Sequence, residues 1–225
     1  MSESDVQSQP AVAVPTPREA ARPPVDESPP DVAAAPAGDP LVIGLPAFIA
    51  GSVALALVDL GFAPVAASGA AVPVIMTATS LGLFLAAVWA AVLGQNAVAA
   101  VLAVFGGFWL SYAALSLGLQ HGWFAVQPAG VNRTVEVFLV TWLVVIGLLT
   151  LGTLRLPAVY SVLFLLVDAA LVLTLLATAQ ASTGLTRTAG WVVLAFAALG
   201  AYIWVSTLSS ATGGRAYPLG RPLVR

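Results

Sequence analysis

The chain has 225 residues, of which 60% are hydrophobic and 8% are charged, whereas soluble domains carry about 25% charged residues. Its formal net charge is −2, and it contains no cysteine. The absence of cysteine excludes disulfides and thiolate metal sites, and the scarcity of charge indicates a membrane protein without a nucleic-acid partner.

The first 40 residues hold nine of the sixteen prolines, seven of the ten carboxylates and no aromatic residue. A segment of this composition cannot bury enough apolar surface to fold. We therefore predict a disordered acidic tail over residues 1–38, which serves either as a spacer or as a segment that binds a partner.

Six apolar segments follow between Leu41 and Ser209. Each is about 20 residues long, and a helix of that length crosses the roughly 30 Å hydrocarbon core of a bilayer. The pattern predicts an all-α membrane protein, with a six-transmembrane-helix bundle over residues 39–210 and a short C-terminal tail over residues 211–225. The predicted spans are residues 41–62, 72–93, 97–119, 135–154, 157–179 and 190–209.

An even number of spans places both termini on one side of the membrane. Four arginines flank the spans on that side and two lie in the opposite loops: Arg155, Arg215, Arg221 and Arg225 against Arg133 and Arg187. The excess of positive charge predicts a multi-pass protein of the cell membrane with both termini in the cytoplasm.

Two local patterns bear on the helices themselves. Small residues recur at four-residue spacing in the second span, for example at Gly82, Ala86 and Ala90, which favours close helix packing. Pro46 lies inside the first span, where its missing N–H can open a break in the helix.

The third span carries the segment Phe-Gly-Gly-Phe-Trp-Leu-Ser-Tyr at residues 105–112. Further short motifs are Gly94-Gln95-Asn96, Gly152-Thr153-Leu154-Arg155, Ala189-Gly190-Trp191 and Tyr217-Pro218-Leu219-Gly220. In their order and spacing these motifs resemble the acetate uptake transporter family, which includes bacterial succinate/acetate permeases. The resemblance implies a six-span permease that assembles as a homo-oligomer, a hexamer.

The chain also departs from that family. Residues 39–45 read Asp-Pro-Leu-Val-Ile-Gly-Leu, where the family has Asn-Pro-Ala-Pro-Leu-Gly-Leu, and Val58 occupies the place of a common histidine. The fold is therefore better fixed than the substrate.

The resemblance implies a transport constriction formed by one bulky side chain from each of the first, third and fifth spans. The matching residues here are Phe48, Phe105 and Val167, and the latter two replace the family's usual tyrosine and leucine. An apolar constriction dewets, which slows water and hydrated ions while a weakly hydrated solute passes. Without the resemblance, ordinary helix packing would be the simpler interpretation of these residues.

A carboxylate that enters a bilayer needs hydrogen-bond donors in place of water. Our candidates for the polar residues of a substrate pathway are Gln95, Asn96, Ser111 and Tyr112, and further possible donors are Thr141 and the indole N–H groups of Trp109 and Trp142. Gln95 and Asn96 precede the third helix, whose N-terminus suits an anion. A plain polar turn at the membrane surface explains that pair equally well.

Asp168 lies halfway along the fifth span, directly after Val167. An ionised aspartate there costs about 2.5–3.5 kcal/mol on insertion scales, so it should face a cavity or a partner. This position makes Asp168 a candidate for proton coupling, with a structural hydrogen bond as the alternative. Asp59, near the end of the first span, is expected at the membrane interface.

Together these features predict a permease or channel-like transporter for acetate and related short-chain carboxylates, succinate included, linked to the proton gradient. A transporter of ammonium or another small solute, and a non-transporting membrane scaffold or sensor, remain alternatives. No combination of nucleophile, base and metal ligands points to an enzyme, and a single histidine cannot build a multi-histidine metal site. We expect no catalytic residue, cofactor or bound metal.

Overall fold

A computed structural model describes residues 38–63 and 65–224. In this part of the chain it contains no β-strand and six helices that are long and apolar enough to cross a membrane. They are α1 (Leu41–Asp59), α2 (Gly69–Val92), α3 (Asn96–His121), α4 (Val131–Thr153), α5 (Ala158–Gln180) and α6 (Thr183–Ala211). The predicted all-α, six-span bundle is confirmed. The tail predicted over residues 1–38 lies outside the described residues except for Gly38.

The six helices form a ring in chain order. Each helix packs against the next one along the chain, and α6 closes the ring against α1. The contact between α3 and α4 is the sparsest, and aromatic rings bridge it: the ring centroid of Phe108 lies 5.6 Å from that of Trp142 and 5.8 Å from that of Phe138. The ring therefore encloses an interior that the side chains of several helices share.

Small residues set the distance between α1 and α2. A Cβ atom built on Gly82 would lie 2.7 Å from the Cβ of Ala47, and one built on Gly44 would lie 3.3 Å from the Cβ of Ala86. The first distance leaves no room for a side chain at Gly82, and the second leaves little at Gly44. The predicted close packing of the small residues in the second span is thus confirmed at Gly82 and Ala86.

The sixth helix begins earlier than hydropathy predicts. It starts at Thr183, seven residues before the predicted start at 190, because Ser182 caps it: the Ser182 Oγ accepts a hydrogen bond from the Leu185 N–H at 3.3 Å. A hydropathy pattern excludes the polar first two turns, although a capped helix tolerates them. The first helix is shorter than predicted and ends at Asp59, two residues before Gly61 adopts a φ of +81°.

Helix α1 continues through Pro46 without a break, contrary to our expectation. Proline cannot donate to the carbonyl four residues earlier, which here belongs to Val42. That carbonyl instead accepts a hydrogen bond from the Trp204 Nε1–H of α6 at 3.2 Å. A polar group in a bilayer needs a partner inside the protein, so the tryptophan compensates for the proline and joins α1 to α6.

The segment after α6 folds back over the terminus face, the face of the bundle that holds residues 41 and 211. The Val159 N–H donates to the Leu219 carbonyl and the Val224 N–H donates to the Leu154 carbonyl, each at 3.1 Å. The Tyr202 hydroxyl donates to the Pro218 carbonyl at 2.9 Å. The segment after α6 is therefore held by hydrogen bonds to α5, to α6 and to the residue that follows α4, and these bonds extend as far as residue 224.

Replacing Trp204 with phenylalanine removes the donor to Val42 but keeps an aromatic ring. We expect Trp204→Phe to lower the free energy of unfolding by about 1–3 kcal/mol, the cost of an unpaired acceptor away from water. The measurement is denaturant or thermal unfolding in detergent. Pro46→Ala restores the missing N–H, so the loss should shrink in that background, and an equal loss in both backgrounds would contradict this account.

Candidate functional site

The ring encloses a central cavity of about 80 Å³. A water molecule needs roughly 10–15 Å³ of such space, so the cavity holds a few waters or one small solute. Helix α2 contributes nothing to its wall. The lining residues are Phe48, Leu55, Asp59, Phe105, Phe108, Trp109, Tyr112, Leu139, Val167, Ala170, Leu171, Thr174, Val193 and Phe196.

All three residues of the predicted constriction line this cavity. Phe48, Phe105 and Val167 are 5%, 4% and 6% exposed, so their side chains are buried in the bundle. The Phe48 and Phe105 rings meet edge to face with their centroids 5.1 Å apart. Phe196 of α6 packs beside them, with its ring centroid 5.6 Å from that of Phe48.

A second, wider cavity of about 470 Å³ lies on the terminus face, between α3, α4 and α5. Its wall is almost wholly apolar and includes Phe164 and, from the C-terminal segment, Leu219. Phe164 stacks on Phe105 at a centroid distance of 5.7 Å. Phe105 lines the central cavity and Phe164 lines the terminus-face cavity, so the stacked pair lies between the two spaces.

A vestibule of about 360 Å³ lies at the opposite face, where α4 begins, α5 ends and α6 begins. Its polar residues carry no charge: Asn132, Thr174, Thr178, Ser182, Thr183 and Thr186. Thr174 lines both this vestibule and the central cavity. The three spaces thus lie in order from the terminus face to the opposite face. The rings of the aromatic cluster, Phe48, Phe105, Phe164 and Phe196, lie where the terminus-face and central cavities approach each other.

The central cavity contains few polar groups. The indole N–H of Trp109 is buried, with the side chain 1% exposed, and has no hydrogen-bond partner among the described residues. Tyr112, Thr174 and Asp59 supply two hydroxyls and one carboxyl group. The Thr174 hydroxyl donates to the Ala170 carbonyl at 2.8 Å. The cavity therefore offers an apolar body with a few polar groups, an arrangement that fits a solute with one polar end.

Two of these polar residues, Asp59 and Thr174, were missed as cavity residues by our sequence analysis. Asp59 follows Phe48 and Leu55 at intervals of eleven and four residues, which places all three on one face of α1. Thr174 follows Val167 by seven residues, which places both on one face of α5. Helical periodicity measured from the predicted constriction would have found both.

The other predicted pathway residues lie elsewhere. Gln95 Nε2 donates to the Gly38 carbonyl at 3.1 Å on the terminus face, and Asn96 is exposed beside it. Ser111 Oγ donates to the carbonyls of Gly107 and Phe108, at 2.7 and 2.9 Å, within its own helix. Of the predicted donors, Tyr112 and Trp109 line the central cavity, whereas Thr141 and Trp142 do not.

Asp168 lies between α4 and α5 and lines none of the three spaces. Its Oδ2 accepts a hydrogen bond from Thr150 Oγ1 at 2.7 Å, whereas its Oδ1 is buried with no partner among the described residues. Thr153, one turn from Thr150 along α4, donates to the Thr150 carbonyl and lines the terminus-face cavity. One turn of helix thus separates the partner of Asp168 from that cavity.

The described residues offer little to a metal or a cofactor. No three His, Cys, Asp or Glu side chains of residues 38–63 and 65–224 come close enough together to hold a metal ion. The polar groups of the cavity are hydroxyls, one indole and one carboxyl. They can hydrogen-bond a small solute.

Comparisons with known proteins relate the chain to two fungal proteins. It is 28% identical over 202 residues to the glyoxylate pathway regulator of Yarrowia lipolytica, covering 84% of this chain and 71% of that protein. It is 28% identical over 152 residues to the meiotically up-regulated gene 86 protein of Schizosaccharomyces pombe, covering 65% of this chain and 49% of that protein.

The fold is similar to the solved structure of the bacterial acetate channel SatP, with a TM-score of 0.72 and 20% sequence identity. The alignment covers 82% of this chain and all of that one. The sequence profile of the GPR1/FUN34/yaaH family matches residues 26–215. With its six apolar helices the protein is a multi-pass membrane protein, and it belongs to the GPR1/FUN34/yaaH family, as the resemblance of its motifs predicted.

Proposed function

We propose that the protein is a channel-like transporter for acetate and related short-chain monocarboxylates. The observation that carries this proposal is the row of three spaces across the bundle, with a small central cavity closed by the aromatic cluster. The family membership and the similarity to the fold of an acetate channel support the same function.

The chemistry of the central cavity fits a two-carbon acid. A methyl group can contact Val167 and Leu171, while the carboxyl group receives hydrogen bonds from the Trp109 indole or the Tyr112 hydroxyl. Succinate has a second carboxyl group, which would need further donors within about 80 Å³. We therefore expect acetate to be transported in preference to succinate.

The aromatic cluster gives the proposed pathway its selectivity. Phe105 contacts Phe48 on one side and Phe164 on the other, so one ring stands between the central and terminus-face cavities. A narrow apolar passage dewets and resists hydrated ions. Phe48, Phe105 and Val167 therefore act as the constriction in this proposal, with Phe196 as a fourth member.

Phe105→Ala tests the pathway. Removing the ring joins the two cavities, so we expect labelled acetate uptake into liposomes to rise severalfold and propionate to be admitted more readily. Phe138→Ala is the matched control, because Phe138 packs on Phe108 at a centroid distance of 5.8 Å without lining the cavity. Empty liposomes report the passive leak of the acid.

The outcome is read only from protein that unfolds cooperatively in detergent, and Phe105→Leu provides a smaller perturbation of the same site. Equal uptake by wild type, Phe105→Ala and Phe105→Leu would contradict a route past Phe105. Uptake by the wild type no faster than the leak would overturn the proposed function itself.

We further propose that transport is linked to the proton gradient and that Asp168 takes part. Support comes from its position inside the bundle and from its hydrogen bond to Thr150, one turn from the terminus-face cavity. The alternative is that this bond only holds α4 to α5. The two interpretations differ in what happens when the bond is removed but the carboxyl group stays.

Asp168→Asn should abolish accumulation of acetate driven by an imposed proton gradient, while downhill exchange persists. The reason is that an amide, unlike a carboxyl group, does not take up and release a proton near neutral pH. Thr150→Val removes the hydrogen bond and keeps the carboxyl group, so gradient-driven accumulation should survive in it. Accumulation unchanged in Asp168→Asn would refute coupling. If Asp168→Asn and Thr150→Val lose stability, gradient-driven accumulation and downhill exchange to the same extent, the hydrogen bond has only a structural role.

The assembly and orientation complete the proposal. The family resemblance supports a homo-hexamer of 22.8 kDa subunits. We expect native mass spectrometry of the detergent-solubilised protein to give six copies, and a monomer at all protein concentrations would contradict this. The bias of arginines towards the terminus face supports cytoplasmic termini.

A further inference from the structure

The terminus-face cavity is much larger than the central cavity. Its volume is about 470 Å³, against about 80 Å³ for the central cavity. Sites of about 300–1,000 Å³ accommodate drug-sized ligands, so the terminus-face cavity has space for a molecule several times larger than acetate. Such a molecule does not fit the central cavity, and it would stop at the aromatic cluster.

The terminus-face cavity opens between α3 and α4, at the ends of both helices. Ala97 and Ala100 of α3 and Gly152 of α4 line the cavity and are exposed. The aromatic contact between these two helices lies further towards the opposite face, at Phe108 and Trp142. The helices are therefore held together in one half of the bundle and leave a gap in the other half.

The wall of this cavity suits a hydrocarbon chain. Its polar side chains are Thr153 and Tyr160, and Thr153 already donates its hydroxyl hydrogen to the Thr150 carbonyl. Phe164 lies at the end nearest the central cavity, since its ring stacks on that of Phe105. Each methylene group that a ligand buries against such a wall favours binding. Affinity should therefore rise with the length of the alkyl chain.

Two arginines lie beside the cavity wall. Arg155 directly precedes Leu156 and Pro157, which both line the cavity. Arg221 directly precedes Pro222, which pairs with Pro157. Both arginines are exposed, and neither forms an ion pair with another described residue. Their charges are therefore available to an anion at the mouth of the cavity.

The terminus face carries more positive than negative charge among the described residues. Its one carboxylate belongs to Asp39, whose Oδ1 accepts a hydrogen bond from the Leu41 N–H at 2.9 Å. The arginines on the same face are Arg155, Arg215 and Arg221. An apolar cavity beside a surface of net positive charge is complementary to a ligand with an alkyl chain and an anionic head.

We infer that the terminus-face cavity binds medium-chain monocarboxylates, such as octanoate, which block the route without passing through it. The alkyl chain lies along the apolar wall towards Phe164. The carboxylate lies at the mouth, where the Arg155 guanidinium and the Tyr160 hydroxyl bind it. Acetate, with a single methyl group, gains little from this wall. The inference rests on the proposed function, because occupancy of this cavity stops acetate only if acetate crosses it.

The first measurement locates the ligand. Proteoliposomes are irradiated with a medium-chain carboxylic acid that carries a diazirine near the end of its chain, and mass spectrometry identifies the labelled residues. Labelling should fall on the cavity wall, within residues 97–101 or 149–164, and excess octanoate should suppress it. A probe with the same chain and an alcohol in place of the carboxyl group should label these residues severalfold less.

Ala100→Leu fills part of the cavity, and Ala103→Leu is its matched control. Both alanines are exposed on α3, but Ala103 does not line the cavity. Ala100→Leu should therefore reduce labelling severalfold, whereas Ala103→Leu should label like the wild type. Arg155→Gln should also reduce labelling. Arg187→Gln, which removes an exposed arginine from the opposite face, should not.

The second measurement asks whether the bound acid blocks transport. Exchange of labelled acetate is measured at equal internal and external pH, with and without octanoate, so that octanoate has no pH gradient to dissipate. Octanoate should slow exchange by the wild type and by Ala103→Leu. Severalfold more octanoate should be needed with Ala100→Leu. Effects of octanoate on the bilayer itself are common to all three proteins.

The two measurements separate the site from the transport. Labelling outside the cavity would overturn the inference, and equal labelling by the acid and the alcohol would do so by indicating a lipid chain as the occupant. Equal inhibition of the wild type, Ala100→Leu and Ala103→Leu would also overturn it. Wild-type exchange no faster than the leak of empty liposomes would remove the proposed function, whereas the labelling would still decide whether the cavity binds the acid.

Discussion

The contact of Phe105 with Phe48 and Phe164 is the feature on which the rest of the site depends. Through these rings and Phe196 it joins α1, α3, α5 and α6, and it also divides the interior into a central and a terminus-face cavity. Aromatic pairs of this kind contribute about 0.5–1.5 kcal/mol each beyond the area they bury. In our proposal the same residues hold the bundle together and close the route through it.

A bilayer also constrains where polar groups can stand. Backbone groups must be satisfied inside the protein, and the Val42 carbonyl freed by Pro46 finds its donor in Trp204. The described side chains follow the same rule with exceptions, among them the Thr79 hydroxyl and the Asp168 Oδ1. Two further polar groups line the central cavity. The Trp109 indole lacks a partner beside the cavity, and Asp59 faces it without a cation. In our account these two groups meet the solute.

The carboxyl groups of Asp59 and Asp168 lie in different parts of the bundle. Asp168 is turned to Thr150 at the contact of α4 and α5, whereas Asp59 lines the cavity that the solute would cross. A group outside the cavity can influence transport through the helices or by exchanging a proton. A group inside the cavity can contact the solute directly.

Much of the fold could be predicted from the sequence, because a bilayer-spanning helix is recorded in about 20 consecutive apolar residues. The start of α6 was missed because its first two turns are polar and depend on the cap of Ser182. The residues Phe48, Phe105 and Val167 came from the resemblance to a family, and the structure places them together. Phe196, the pairing of Asp168 with Thr150, and the position of Gln95 at the surface depend on how helices face one another, which no local pattern records.

The absence of cysteine from the sequence allows the central claim, a route through the cavity, to be tested with one introduced thiol. Thr174 lines both the vestibule and the central cavity, so Thr174→Cys places a thiol on the proposed route within reach of a membrane-impermeant thiol reagent. Labelled acetate uptake is measured after modification, with the extent of labelling determined by mass spectrometry. The account predicts that complete labelling blocks uptake and that acetate slows the labelling. Complete labelling with uptake unchanged would contradict it.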